Sequence, residues 1–123
     1  MRTSIRRMLE SSGTIDVVGE ADNGKAAVEI ARKLRPDVLI LDMELPELSG
    51  ALVMQQIRLD QLPVRVLVLS SHDDPNLVRY MLGAGASAYV TKGEAPENLL
   101  AVVHKVVTDR LYAHAVRVYA ATH

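Results

Sequence analysis

The sequence predicts an α/β domain in which one doubly wound parallel β-sheet lies between two layers of helices, a three-layer α/β/α arrangement. Short apolar runs alternate with segments that place apolar residues at helical spacing. The run at 38–41 (VLIL) is wholly apolar, which is typical of a strand buried on both faces of a parallel sheet, and VRVLVLS at 64–70 is the next strand. The links between elements are short, which favours right-handed crossovers with helices on both faces.

The elements alternate in the order α-β-α-β-α-β-α-β-α. Apolar residues at helical spacing predict helices at 2–12, 24–34, 50–59, 75–82 and 96–107. Runs rich in β-branched or apolar residues predict strands at 15–19, 38–41, 64–70 and 87–91. Gly13 and Pro36 follow the first two helices, and Asp74-Pro75 provides a cap and a first-turn proline for the fourth.

Length and composition define the broad class of protein. The chain has 123 residues, a length typical of one domain, and 49% of them are hydrophobic. That fraction is enough for a core, which must be aliphatic because the chain has no Phe and no Trp. The net charge of -1 gives no sign of binding to nucleic acid or to an anionic membrane. The absence of cysteine excludes disulfides and thiolate metal sites, and a reducing cytoplasm fits.

Polar residues follow three of the predicted strands. Asp42 comes directly after the run at 38–41, Ser70 after 64–69, and Lys92 after 87–91. Because ligand sites in open parallel sheets lie beyond the carboxyl ends of the strands, we expect these side chains to converge on one edge. A carboxylate can accept a phosphoryl group, a hydroxyl can donate to a phosphoryl oxygen, and an ammonium can offset its charge.

Each of these residues also has a simpler interpretation. A single Asp or Ser after a strand is more often a turn residue or a cap, and a single Lys there is more often solvated. The combination, in this order on three successive strands, favours a phosphoryl site over three unrelated surface residues.

Four segments resemble response-regulator receiver domains, the phosphoryl-accepting modules of two-component signalling. VLILDMELPELSG resembles the phosphoacceptor segment, with Pro four and Gly eight residues after the aspartate, and VLVLSSHDD resembles the next strand. GAGASAYVTKG and VVGEADNGKAAVEIARKLRPDV match two further segments of the family. The similarity covers about residues 1–108 and is closest to receivers of the LuxR-type helix-turn-helix subfamily. It implies a flavodoxin-like sheet.

The resemblance implies roles for individual residues. Asp42 corresponds to the phosphoacceptor, Ser70 to the phosphate-sensing hydroxyl, Lys92 to the phosphate contact and Tyr89 to the switch aromatic. Asp42 and the backbone carbonyl of Glu44 match two ligands of the family's Mg²⁺.

The resemblance also implies a strand that this sequence lacks in its expected place. In the family a strand precedes the first helix and ends in an acidic pair that holds Mg²⁺, whereas residue 1 here already corresponds to that helix. The strand would lie between the strands at 15–19 and 38–41. Each buried backbone group left unpaired there would cost about 1–3 kcal/mol, and a domain is stable by only about 5–15 kcal/mol. Another segment must fill the slot for the family fold to form.

The tail at 109–123, after a receiver domain at 1–108, can be interpreted in several ways. DRLYAHAV resembles the linker that leads to a DNA-binding domain in the subfamily, and a linker or a continued helix is the favoured interpretation. AVRVYAATH at 115–123 is β-prone and loosely resembles the missing strand, which it could replace in a circularly permuted order. Strand exchange with another chain, or a first strand in residues that precede Met1, would also fill the slot.

Two functions are compatible with the resemblance. The first is a receiver phosphorylated at Asp42 that regulates a partner or an output domain. The second is a pseudo-receiver, a protein-interaction module that is not phosphorylated, because without the acidic pair Mg²⁺ has Asp42 and little else. Asp73 and Asp74 have the pattern of helix-start residues. An enzyme or cofactor-binding protein is disfavoured, since no glycine-rich phosphate loop follows the first strand and His72 and His104 are not paired with a nucleophile.

The resemblance implies a sensor histidine kinase as a partner. A homodimer is expected, since the last helix carries more apolar residues than one buried stripe needs: Leu99, Leu100, Val102, Val103, Val106 and Val107. We expect no direct nucleic-acid binding by these residues, although a DNA-binding output domain could follow residue 123. No apolar run reaches membrane-spanning length.

Overall fold

The computed structural model describes residues 2–45, 49–93, 97–107 and 116–121. The helices in these residues are α1 (Arg2–Ser11), α2 (Gly24–Leu34), α3 (Gly50–Leu59), α4 (Pro75–Gly83) and α5 (Glu97–Val106). The strands are β1 (Ile15–Ala21), β2 (Val38–Asp42), β3 (Arg65–Ser70), β4 (Ala88–Thr91) and β5 (Val116–Ala121). Within these ranges, no helix has both the length and the apolar character that crossing a membrane requires.

The helices begin and end where the sequence provides capping groups. Asn23 caps α2, and its side-chain oxygen accepts a hydrogen bond of 2.8 Å from the Ala26 N–H. At the other end of α2, Arg35 adopts a left-handed conformation (φ 44°) ahead of Pro36, and its N–H donates to Ala31 O. Asp74 caps α4, with proline in the first turn, which confirms the expected role of that pair.

The five strands form one parallel sheet in the order β1-β5-β2-β3-β4. Buried side chains of α1 and α5 pack on one face, and those of α2, α3 and α4 pack on the other. The predicted three-layer, doubly wound fold is therefore confirmed. A flavodoxin-like sheet has the order 2-1-3-4-5, and this sheet has the same order when β5 is counted as the first strand.

The tail segment Val116–Ala121 occupies the central slot of the sheet. Its residues pair with β1 on one side, as in Val17 with Val118, and with β2 on the other, as in Ile40 with Ala120. The structure thus has a replacement strand here instead of the favoured helix or linker. The physical reason is that an extended segment supplies backbone partners to both β1 and β2. Residues 108–115 and 122–123 lie outside the described residues, and the division at residue 108 stays a prediction.

Asp37 anchors β5 at the amino end of the sheet. Its Oδ2 accepts a hydrogen bond of 2.8 Å from Arg117 N, and its own N–H donates to Arg117 O at 2.8 Å. Asp37 O also accepts from Arg65 N at 3.2 Å. The same residue therefore links the starts of three neighbouring strands and helps to set the register of β5.

Tyr119 fits its place in the sheet imperfectly. Its side chain is fully buried, and its hydroxyl has no hydrogen-bond partner among the described residues. The neighbouring β1 has an irregularity between Val17 and Gly19, and a Cβ at position 19 would lie 3.0 Å from two ring atoms of Tyr119. A side chain at position 19 would therefore press on the ring, which would have to shift by a few tenths of an ångström. Burial, together with the Asp22 carboxylate, raises the pKa of Tyr119 to about 12.

We expect Tyr119→Phe to stabilise the domain at neutral pH by about 1–3 kcal/mol, since it removes a buried hydroxyl without a partner. The ordinary pKa of tyrosine is 10.0, so the unfolded chain ionises first as pH rises. The wild-type free energy of unfolding should therefore lose a contribution between pH 10 and about 12 that the variant lacks. Urea titrations at pH 7 and across this alkaline range test both effects.

The matched control is Tyr80→Phe, because Tyr80 is 63% exposed. It should leave stability nearly unchanged. If Tyr119→Phe were no more stable than wild type at pH 7, the buried Tyr119 hydroxyl could not be the destabilising group that we infer.

Val118→Asp tests whether β5 is an essential central strand. Val118 is fully buried between α1, α5 and the sheet, and a carboxylate there would cost several kcal/mol, a large share of a stability of about 5–15 kcal/mol. We expect loss of the cooperative thermal transition followed by circular dichroism. Arg7→Asp, which puts the same side chain on the exposed face of α1, is the control. A cooperative transition in Val118→Asp close to that of wild type would show that β5 is dispensable.

Candidate functional site

The structure brings two of the sequence-predicted residues into direct contact at the carboxyl edge of the sheet. Asp42 ends β2 and is fully buried, and Lys92 follows β4 by one residue. Lys92 Nζ lies 2.9 Å from Asp42 Oδ2. Ser70 ends the intervening strand β3, is also fully buried, and accepts a hydrogen bond of 2.7 Å from Lys92 N at its carbonyl oxygen. The predicted edge is therefore correct, although Ser70 Oγ points to a different partner.

The carboxylate of Asp42 is held at both oxygens. Oδ2 faces the Lys92 ammonium, and Oδ1 accepts a hydrogen bond of 2.8 Å from Glu44 N. A buried carboxylate requires such partners because it has lost its hydration by water. The turn after β2 therefore fixes the orientation of the Asp42 side chain.

Gly50, at the start of α3, allows that turn to pack closely. A Cβ at this position would lie 2.9 Å from Met43 Cα and 3.4 Å from Asp42 O. No side chain fits there without moving the backbone next to Asp42. The glycine eight residues after the aspartate thus has a steric role.

Ser70 and Tyr89 both contact the backbone of His72. Ser70 Oγ accepts a hydrogen bond of 3.1 Å from His72 N, and the Tyr89 hydroxyl donates one of 2.7 Å to His72 O. In the sequence, His72 stands out only as a histidine that is not paired with a nucleophile. Its backbone nevertheless joins both predicted switch residues to the β3–α4 loop.

Glu44 has a role that the sequence did not indicate, since only its backbone carbonyl was singled out. Its Oε1 accepts hydrogen bonds from Ser71 N, at 3.0 Å, and from Ser71 Oγ. Partial burial raises the pKa of Glu44, but the hydrogen bonds from Ser71, the interaction with Asp42 and the Lys92 charge outweigh it and hold the pKa at about 2. Glu44 is therefore ionised at neutral pH and ties the β2–α3 loop to the β3–α4 loop.

The described residues do not form a Mg²⁺ site. Mg²⁺ requires near-octahedral oxygen ligands, usually carboxylates and waters. Asp42 and Glu44 are turned towards Lys92 and Ser71, and no group of three or more His, Cys, Asp or Glu suited to a metal occurs in the part of the chain that the structure covers. Asp74 is used as a helix cap. β5 ends at Ala121, which cannot ligate a metal through its side chain, and Thr122 lies outside the described residues.

A parallel sheet in flavodoxin-like order, with a buried aspartate and a lysine paired at its carboxyl edge, is the architecture of a signalling receiver. The chain belongs to this family: residues 1–104 match the response regulator receiver domain.

The chain is also similar in sequence to curated transcriptional regulators. The chain is 39% identical over 102 residues to the probable transcriptional regulatory protein NarL of Mycobacterium tuberculosis, across 83% of this chain and 47% of that protein. It is 33% identical over 113 residues to the transcriptional regulatory protein DegU of Brevibacillus brevis, across 92% of this chain and 48% of that protein. The chain thus spans about half the length of the curated relatives it matches.

Solved structures agree on the fold. The signal receiver domain of the putative response regulator NarL from Mycobacterium tuberculosis has a TM-score of 0.83 at 38% identity, covering 89% of this chain and 88% of that one. A DNA-binding response regulator of the LuxR family from Staphylococcus aureus has a TM-score of 0.79 at 27% identity, covering 85% and 88%. The expected similarity to receivers of the LuxR-type subfamily is confirmed.

Removing Lys92 should destabilise the domain more than neutralising Asp42. Lys92→Met leaves a fully buried carboxylate without its cation, a change that costs about 3–5 kcal/mol in buried pairs. We expect the lower end of that range because the Lys92 side chain is 22% exposed. Asp42→Asn should cost less, because the cation left behind reaches solvent, and the double variant should lose less than the sum of the two. Urea titration measures all three.

Lys25→Met on the exposed surface of α2 is the matched control. Additive losses in the double variant would mean that the Asp42–Lys92 contact contributes nothing to stability.

Proposed function

We propose that this receiver domain accepts a phosphoryl group on Asp42 and transmits the change to a partner or an output domain. The observation that carries the proposal is the Asp42–Lys92 pair at the carboxyl edge of the sheet. It places a nucleophilic carboxylate beside the cation that can offset the charge of an incoming phosphoryl group.

The chemical step is a transfer of the phosphoryl group from an oxygen or nitrogen of the donor to the carboxylate. A new bond forms between an Asp42 carboxylate oxygen and phosphorus, and the bond from phosphorus to the donor breaks. The donor, such as the phosphohistidine of a sensor histidine kinase, leaves as its free group with the bonding electron pair. Lys92 Nζ, 2.9 Å from Asp42 Oδ2, is placed to contact a phosphoryl oxygen, and Glu44 N orients the carboxylate through Oδ1.

Transmission is assigned to Ser70 and Tyr89. A phosphoryl oxygen on Asp42 would attract the Ser70 hydroxyl, which now accepts from His72 N. Release of His72 N would let the β3–α4 loop move, and the Tyr89 hydroxyl would follow because it donates to His72 O. The surface formed by α4 and β4 would change as a result.

A second candidate function is a pseudo-receiver that binds partners without being phosphorylated. The observation that favours it is the lack of a Mg²⁺ site among the described residues. Receiver domains in general use Mg²⁺ for phosphorylation, and phosphoryl transfer depends on such charge.

The proposed partners follow from the family. A sensor histidine kinase would supply the phosphoryl group, and the transcriptional relatives suggest a DNA-binding output domain in a longer protein. A homodimer through α5 is a further proposal. Leu100, Val102 and Val106 of this helix are only partly buried, so they leave apolar surface that a second copy could cover. For the chain as a whole, we propose no enzymatic activity, no membrane contact and no direct contact with nucleic acid. We propose that the domain acts in the cytoplasm.

Intact-mass spectrometry after incubation with acetyl phosphate, with and without MgCl₂, tests the proposal. We expect a gain of one phosphoryl group in wild type and none in Asp42→Asn, which has nearly the same shape but no nucleophilic carboxylate. Asp73→Asn, a change in the exposed β3–α4 loop, is the matched control and should be labelled like wild type. No mass gain in protein that circular dichroism shows to be folded would reject phosphorylation and favour the pseudo-receiver.

A further inference from the structure

Glu44 lies in a set of contacts suited to an anion. Its carboxylate accepts from the Ser71 N–H at 3.0 Å and from the Ser71 hydroxyl. Its Oε2 is 3.8 Å from Lys92 Nζ, and its Oε1 is 3.9 Å from His72 Nε2. Two donors of Ser71 therefore bind one carboxylate, which belongs to the chain itself. The Lys92 ammonium, the His72 imidazole and the Asp42 carboxyl lie near it without such close hydrogen bonds.

The same set of contacts adjoins Asp42. Lys92 Nζ is shared between the two carboxylates, at 2.9 Å from Asp42 Oδ2 and 3.8 Å from Glu44 Oε2. A phosphoryl group on Asp42 would bring further negative charge to this place. It would meet the ionised Glu44 side chain and would compete with it for the cation and for the nearby donors.

We propose that the Glu44 side chain is an intramolecular competitor of the phosphoryl group, held on Ser71 and Lys92 until phosphorylation displaces it. This deepens the proposed function and rests on it, since it names how the Asp42 site is regulated. The Glu44 side chain is 34% exposed, so it has a path to solvent. Its departure would also release Ser71 and so free the loop that precedes α4.

Two variants isolate the competition. Glu44→Ala removes the carboxylate, and Glu44→Gln keeps an acceptor for Ser71 while removing the charge. We expect acetyl phosphate to label Glu44→Ala about tenfold faster than wild type, because a charge-assisted contact that must be broken is worth about one decade in rate or more. Glu44→Gln should lie between the two. Circular dichroism confirms folding, and either variant serves if the other is unstable.

A second readout does not require covalent chemistry. Inorganic phosphate is titrated into ¹⁵N-labelled protein, and the Ser71 amide resonance is followed. We expect a saturable shift in Glu44→Ala at concentrations at least about tenfold below any that shift it in wild type. Asp73→Asn removes a neighbouring negative charge from the same loop without touching the Glu44 contacts and should behave like wild type in both experiments.

The outcomes separate this inference from the proposed function. Equal labelling rates and no Ser71 shift in Glu44→Ala would overturn the competition and leave phosphorylation of Asp42 standing. The same gains in Asp73→Asn would also overturn it, since they would reflect general charge alone. Stronger phosphate binding by Glu44→Ala without labelling of any variant would show that Glu44 occupies an anion site, but it would reject Asp42 as phosphoacceptor and with it the displacement of Glu44 by phosphorylation.

Discussion

The backbone pairing of β5 between β1 and β2 is the constraint on which the rest of the structure depends. Those two strands face each other across the centre of the sheet, and their backbone donors and acceptors need partners when they are buried. β5 supplies them on both sides, and Asp37 helps to set its register. Because β2 is positioned by β5 and β3, the location of Asp42 depends on this strand as well.

At the carboxyl edge, one cation serves two carboxylates. Lys92 pairs directly with the buried Asp42 and lies near Glu44, which in turn is bound to Ser71. The loops after β2 and β3 are therefore connected through ionised and hydrogen-bonded groups. Such contacts respond to added negative charge, whereas the aliphatic layers above and below the sheet do not. The apolar core and the charged edge of the sheet are therefore separate parts of the domain.

The elements predicted from sequence agree with the structure where local pattern decides them. The apolar run at 38–41 predicted the buried strand that the structure has at Val38–Asp42, and Asp74-Pro75 predicted the start of α4. Asp42 and Lys92 could be placed together because parallel strands end at a common edge. The side-chain role of Glu44 could not be predicted, because Ser71 is 27 residues away and no local pattern pairs them. The hydrogen bond from Tyr89 to His72 O was missed for the same reason.

The sequence by itself determined the α/β class, the alternation of elements and the edge at which Asp42, Ser70 and Lys92 lie, since periodicity and strand ends are local properties. Only the tertiary structure decided that Val116–Ala121 is a strand, because the demand for its backbone comes from β1 and β2 and not from its own residues. The tertiary structure also decided the burial of Tyr119, because the pairing of β5 on both sides sets the position of this residue. Its hydroxyl is left without a hydrogen-bond partner among the residues that the structure describes.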